Sequence, residues 1–228
     1  MIPIAGRMIS PADHGAVLAV TVVCASILVL AETVRRAFAV KPEWTRKLAH
    51  VLMGLTASAF PWLFHDGRSV VLLCALFAVV LGASLAFSGL PSIHRVDRRT
   101  AGALWFPLGV AWVFVAAHGR SDLYVIAMLV LTLADPAAAV VGRAGGTHRL
   151  RLGHGSKTLE GSLAFFLVAS SCLLVARSLT TPLHPGESFV RAIAIAALLT
   201  AVELLSPAGS DNFLVPVAAF HLLERSHA

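Results

Sequence analysis

The chain has 228 residues, 57% of them hydrophobic and 13% charged, with a mean hydropathy of +0.82. Soluble domains run at about 45–50% apolar and about 25% charged, so this composition excludes a soluble globular enzyme and indicates a polytopic membrane protein. The formal net charge of +6 sits mostly in short segments between apolar runs, where it sets orientation in the bilayer rather than pointing to nucleic acid.

A membrane-spanning helix takes about 20 residues, so about seven or eight spans with short loops use the whole length. The expected fold is therefore an all-α helical bundle, one membrane-embedded unit over residues 1–228. In chain order the apolar runs are 15–30, 48–64, 69–90, 101–117, 122–141, 159–179 and 189–205, with a shorter one at 213–223 that reads as an eighth helix, tilted or re-entrant. Arg7 ahead of the first run suggests a cleaved signal peptide. The cations that follow the run, Arg35, Arg36, Lys41, Arg46 and Lys47, argue instead for a retained span with its N-terminus outside. Cys24, Cys74 and Cys172 all fall inside apolar runs and read as small buried hydrophobes, not as disulfides or metal ligands.

Cations alternate between connections. The third run is followed by Arg95, Arg98 and Arg99, and the fifth by Arg143, Arg149, Arg151 and Lys157. The intervening loops hold only Arg68 and Arg120, with Arg177 and Arg191 at run edges. The positive-inside rule assigns the first, third, fifth and seventh connections to the cytoplasm, as expected of a multi-pass protein of the cell inner membrane. Trp44, Trp62 and Trp105 lie near run ends, where interfacial anchors sit. The unusual polar stretches, at 45–50, 98–107, 135–162 and 203–212, then share one face. No repeat of 20–50 residues appears, nor the matched interrupted helices of many transporters.

The stretch 134–162 is the most unusual. Asp135 closes a long apolar run, and an acid at that depth is a functional-site hypothesis by default. Gly142, Arg143, Gly145, Gly146, Arg149, Arg151, Gly153, Gly155 and Lys157 follow it. Glycines let backbone N–H groups approach a ligand, and cations neutralise phosphate oxygens. Mg²⁺ is usually held by one or two carboxylates together with substrate phosphates. The competing reading makes Asp135, Ala138, Ala139, Gly142 and Gly146 a packing seam, with Asp135 paired to Arg143 or Lys157. Pro136 is expected to loosen the helix there.

The other polar stretches also carry two readings each. Arg46, Lys47 and His50 share a helix face with Gly54, and serve either anion binding with a proton shuttle or interfacial anchoring. Lys157, Glu160 and Gly161 either bind phosphate and metal or simply open the sixth span, capped by Ser156 or Thr158. Glu203 and Asp211 flank a turn and could serve a cation, or Ser210 or Asp211 caps a helix beginning near Pro216. Residues 153–158 fail as a P-loop, since Ser156 stands at the required glycine and no strand context is expected.

Taken in order, five pieces resemble the CTP-dependent lipid kinases, the family of dolichol kinase, phytol kinase and related polyprenol or diacylglycerol kinases. They are Arg46-Lys47-x-x-His50, Gly102-x-x-Trp105-Phe106-Pro107-x-Gly109, Asp135-Pro136-Ala137-Ala138 through Gly142-Arg143, Lys157-Thr158-x-Glu160-Gly161-Ser162, and Glu203 through Asp211-Asn212-x-x-x-Pro216. Ala134 stands where many members carry glycine. The resemblance implies transfer of the γ-phosphoryl group of CTP to the hydroxyl of a membrane isoprenoid alcohol or diacylglycerol. On that expectation Asp135, Lys157 and His50 are catalytic. Arg46, Lys47, Gly142, Arg143, Gly145, Gly146, Lys157 and Gly161 bind nucleotide phosphates. Asp135, Glu160, Glu203, Asp211 and Asn212 hold Mg²⁺. The partners are the lipid alcohol and a nucleoside triphosphate, with no nucleic acid. Two alternatives remain: a cytidylyltransferase of the CDP-diacylglycerol synthase type, and a small transporter or membrane scaffold, whose acids would line a path at mid-membrane.

Overall fold

Apolar runs broken by glycine, proline and charge fold as helices along almost the whole chain. The computed structural model describes residues 9–86, 101–152, 155–180, 185–207 and 209–227. A 3-10 turn at Pro11–Asp13 leads into α1 (His14–Ala37), α2 (Pro42–Ser58), α3 (Phe60–Leu63), α4 (Gly67–Ala86), α5 (Gly102–Ala117) and α6 (Ser121–Ala144). A hairpin of β1 (Arg149–Leu152) and β2 (Gly155–Thr158) precedes α7 (Leu159–Thr180), α8 (Pro185–Leu205) and α9 (Asp211–His227). Arg7, Arg95, Arg98, Arg99 and Gly153, used above, lie outside the described residues.

Each expected apolar run contains a helix, and the all-α membrane bundle stands. Among the described residues, four helical stretches are long and apolar enough to cross a bilayer: Pro11–Ala37, Gly67–Ser84, Ser121–Ala144 and Leu159–Ala176. The second run is split, because Pro61 has no N–H to continue the α2 ladder onto the Ala57 carbonyl. That carbonyl instead accepts a hydrogen bond of 2.9 Å from the Tyr124 hydroxyl, which lies buried on α6.

Helix α6 is the hub. It packs against α2, α5, α7 and α9, while α1 lies on α2 and α4, and α8 on α7 and α9. Leu123, Tyr124, Ala127, Met128, Leu131 and Ala134 of α6 are fully enclosed. Leu18, Val29, Val79 and Leu167 point outward, as they would toward lipid. The α2–α6 contact is close because Gly54 has no Cβ: one added there would overlap the Thr132 side chain. Gly54 is four residues after His50, and Thr132 three before Asp135, so this contact sets the spacing at the polar end.

Three local expectations change. The segment before Leu159 is not an irregular loop: Arg149 pairs with Thr158, Leu150 with Lys157, Arg151 with Ser156 and Leu152 with Gly155. The Arg-Leu-Arg-Leu alternation of β1 has the period of a strand. Helix α6 runs without a break through Pro136, which gives up only its own N–H bond to Thr132. Helix α9 starts at Asp211 and carries Pro216 in its interior, so it does not begin near Pro216. Its 17 residues span about 26 Å, less than the roughly 30 Å hydrocarbon core.

Candidate active site

Helix α2 opens with Pro42 at its first position, where the missing N–H costs nothing. Its first turns present Glu43, Arg46, Lys47 and His50 along one face. The Lys47 ammonium donates to Asp135 Oδ2 at 2.5 Å, and the two side chains are 7% and 11% exposed. His50 Nε2 lies 3.6 Å from the same oxygen and 3.4 Å from the Leu131 carbonyl. Its ring meets Phe106 of α5 edge-on, with centroids 5.5 Å apart. A buried carboxylate persists as an ion only with such partners. Asp135 is therefore paired to Lys47, not to Arg143 or Lys157.

Lys157 sits on β2 and reaches the end of α8 and the start of α9. Its ammonium donates to Glu203 Oε1 at 2.6 Å and also to the Glu203 backbone carbonyl, with Asp211 Oδ2 at 3.7 Å. The hairpin is thus the arm that delivers Lys157. Asn212 Nδ2 donates to the Gly102 carbonyl at 2.9 Å, tying the start of α9 to the start of α5. The Asp211 Oδ1 atom accepts the Asn212 N–H at 3.1 Å.

A third group joins these two. Glu43 holds Arg46 at 2.7 Å and Arg143 at 2.9 Å, bridging α2 to the end of α6. Sequence reading did not single out Glu43; its signal was the spacing of three to Arg46, which favours an ion pair on a helix. Burial pushes the Glu43 carboxyl up, but its hydrogen bond to Arg46 and the charges of Arg46, Arg143 and Lys47 outweigh burial and hold it below the ordinary carboxyl value. The charges of Asp135 and Asp211 both act on the Arg46 guanidinium, and both act on Glu203. The three groups thus form one electrostatic unit with four cations and four acids.

Glu160 and the glycines are engaged differently. Glu160 Oε1 accepts from the Thr147 N–H at 3.1 Å and hydroxyl at 2.8 Å. It also accepts from the His148 N–H at 3.1 Å and lies 2.7 Å from His148 Nδ1. It therefore clasps the base of the hairpin, while its Oε2 is buried with no hydrogen-bond partner. Thr158 accepts the Gly161 N–H at 3.1 Å, the helix cap expected of it. Gly142 lets α6 approach Thr158, since an added Cβ would lie 2.7 Å from its hydroxyl. Gly146 and Gly161 border the same threonine. The Gly145 N–H is already given to the Val141 carbonyl at 3.0 Å. Close packing and capping thus account for these glycines without a ligand.

Among the described residues no three of His, Cys, Asp and Glu gather as a metal site of their own. The hard oxygens of Asp135, Glu203 and Asp211 fit a divalent cation that takes its remaining ligands from phosphate and water. Each of these carboxylates now faces a lysine ammonium.

Bundle and site define a polytopic helical membrane protein with a dense, charge-balanced centre at one end. The chain belongs to the cytidylyltransferase family, which residues 1–209 match. It is also similar to a protein described as phytol kinase from Synechocystis sp., with 28% identity over 196 residues, covering 85% of this chain and 84% of that one. The resemblance read from the five motifs is thereby borne out at the level of family. No solved structure matches the chain.

Proposed function

We propose that the protein is a lipid kinase that moves the γ-phosphoryl group of CTP to the hydroxyl of a membrane isoprenoid alcohol at the cytoplasmic face of the inner membrane. The observation that carries this reading is the similarity to a phytol kinase along 85% of the chain. The clustering of Lys47, Asp135, His50, Lys157, Glu203 and Asp211 at one end of the bundle supports it. It also speaks against a transporter, whose acids would line a path at mid-membrane.

Phosphoryl transfer asks mainly for positioning and charge stabilisation. Lys47, Lys157, Arg46 and Arg143 bind the phosphate oxygens, and in doing so leave the carboxylates that hold them now. Asp135, Asp211 and Glu203 would then hold Mg²⁺, while Glu160 clasps the hairpin and Asn212 ties α9 to α5 rather than serving as ligands. When bound, the metal supplies charge neutralisation at the β- and γ-phosphates. The lipid oxygen forms a bond to the γ-phosphorus, the bond from that phosphorus to the β-phosphate oxygen breaks, and CDP leaves. His50, beside Asp135 and at the edge of the apolar Phe106 ring, takes the hydroxyl proton.

The test is transfer by the purified protein from labelled CTP or ATP to phytol, a polyprenol and diacylglycerol. Wild type is expected to label the isoprenoid alcohols from CTP. Asp135→Asn and Lys157→Met are expected to abolish labelling while remaining folded in membranes; near wild-type turnover in both overturns the assignment. The family description favours a second reading, a cytidylyltransferase in which a lipid phosphate attacks the α-phosphorus of CTP and pyrophosphate leaves.

A further inference from the structure

The Lys157 ammonium rests in a cradle of three hard oxygens. It donates to Glu203 Oε1 at 2.6 Å and to the Glu203 backbone carbonyl, with Asp211 Oδ2 at 3.7 Å. That carbonyl belongs to the last turn of α8, where helical carbonyls lack an N–H of their own and the helix dipole favours a cation. It also accepts the Ser206 N–H at 3.3 Å. Glu203 and Asp211 are both buried. The cradle is held in shape from α5. Asn212 Nδ2 donates to the Gly102 carbonyl at 2.9 Å, and a Cβ added at Gly109 would lie 2.7 Å from the Asn212 carbonyl. The first turn of α9 is thus pinned to α5, and Asp211 with it.

Charge is unevenly shared across the centre. Lys47 and Asp135 cancel. Glu43 faces two guanidiniums, those of Arg46 and Arg143, which leaves one positive charge over. Lys157 faces two carboxylates, those of Glu203 and Asp211, which leaves one negative charge over. Phosphate is drawn to the Arg46–Arg143 end, and a divalent cation to the Lys157 end. Carboxylate and carbonyl oxygens are the ligands that suit Mg²⁺ and Mn²⁺.

We infer that this cradle is the primary metal site, with Glu203 Oε1, the Glu203 carbonyl and Asp211 Oδ2 as its protein ligands, and that Lys157 holds it as a stand-in cation until nucleotide arrives. The inference rests on the nucleotide-dependent reading above and assigns the ligands of its metal. A metal ion taking the cradle alone would strand a buried ammonium. A nucleotide drawing Lys157 away alone would strand two buried acids. Stranded buried charge is costly in either case. Metal and nucleotide therefore enter together: the cradle exchanges ammonium for metal as Lys157 exchanges carboxylate for phosphate. Asp135 stays with Lys47 until the phosphates arrive, and so adds nothing to the binding of metal alone.

The test measures Mn²⁺ bound to the full chain in detergent micelles, without nucleotide, from the loss of the free-ion paramagnetic resonance signal. Lys157→Met, which empties the cradle, is expected to take up one Mn²⁺ per chain at least about tenfold more tightly than wild type, with a matching rise in its thermal midpoint. Lys47→Met is expected to gain no such site. Adding Asp211→Asn to Lys157→Met is expected to remove it. Wild type that binds Mn²⁺ as tightly as Lys157→Met, a Lys157→Met variant that gains no site, or an equal gain in Lys47→Met overturns the inference. Where the variants do not fold, wild type decides through a CTP analogue with an imido bridge between its β- and γ-phosphorus. Its affinity is expected to be at least about tenfold higher with Mn²⁺ than in EDTA; equal affinity overturns the inference. Mn²⁺ uptake by Lys157→Met with no lipid phosphorylated by wild type would leave the cradle standing and remove the kinase reading; phosphorylation without that uptake would do the reverse.

Discussion

The pair between Lys47 and Asp135 offers the sharpest energetic test. Its ammonium and carboxylate are 2.5 Å apart and almost wholly buried. Removing one partner of such a pair costs about 3–5 kcal/mol, because the other charge is left without compensation. Lys47→Met is expected at the lower end, about 3 kcal/mol, since His50 remains 3.6 Å from the carboxylate. Asp135→Leu, which strands the ammonium, is expected to cost a similar amount. Replacing both by apolar side chains of similar volume is near neutral. The double variant should therefore lie within about 1 kcal/mol of wild type, where independent effects would sum to about 6 kcal/mol. Reversible unfolding in mixed detergent micelles measures all three. Recovery of stability without recovery of phosphoryl transfer is the expected pattern; a double variant that shows the plain sum refutes the pairing.

Gly54→Val forces a side chain into Thr132 across the α2–α6 contact, and overpacking of this kind costs about 1–3 kcal/mol; a lowered unfolding midpoint together with lost transfer checks it. Glu160→Gln weakens the clasp on Thr147 and His148, so trypsin should cut after Arg149 sooner than in wild type, with Lys157 less well delivered and turnover reduced. Glu43 has a folded carboxyl value below its ordinary 4.5, so its share of stability is present above that value and is lost as pH falls through the lower folded one. Acid titration of unfolding should show this loss in wild type and a flatter profile in Glu43→Gln.

Much of the architecture could be read from the chain because membrane spans announce themselves by length and hydropathy. Each of the eight apolar runs holds a helix, and Asp135 stood out as an acid deep in one of them. Pairings were harder, since ion pairs join elements distant in sequence: Lys47 meets Asp135 88 positions away, and Lys157 meets Glu203 46 positions away. The hairpin is hard to read because the Arg149-Leu150-Arg151-Leu152 alternation is only four residues long and is flanked by glycines that suit a loop equally well. Glu43 gives little signal because a lone acid near a helix start is adequately explained by the helix dipole. The glycine pattern at Gly142 and Gly146 suggested two uses, a phosphate cradle and a packing seam, and the side-chain space around Thr158 accounts for the second.

The position of the label within CTP separates the chemistries most directly. Purified protein is incubated with phytol or with phosphatidic acid, each with CTP labelled at either the α- or the γ-phosphorus, and the lipid products are separated. As a kinase, the protein moves γ-label into a lipid monophosphate, releases CDP, and leaves α-label in the aqueous phase. Lipid that carries α-label while pyrophosphate is released, or lipid that acquires neither label, contradicts phosphoryl transfer to the alcohol.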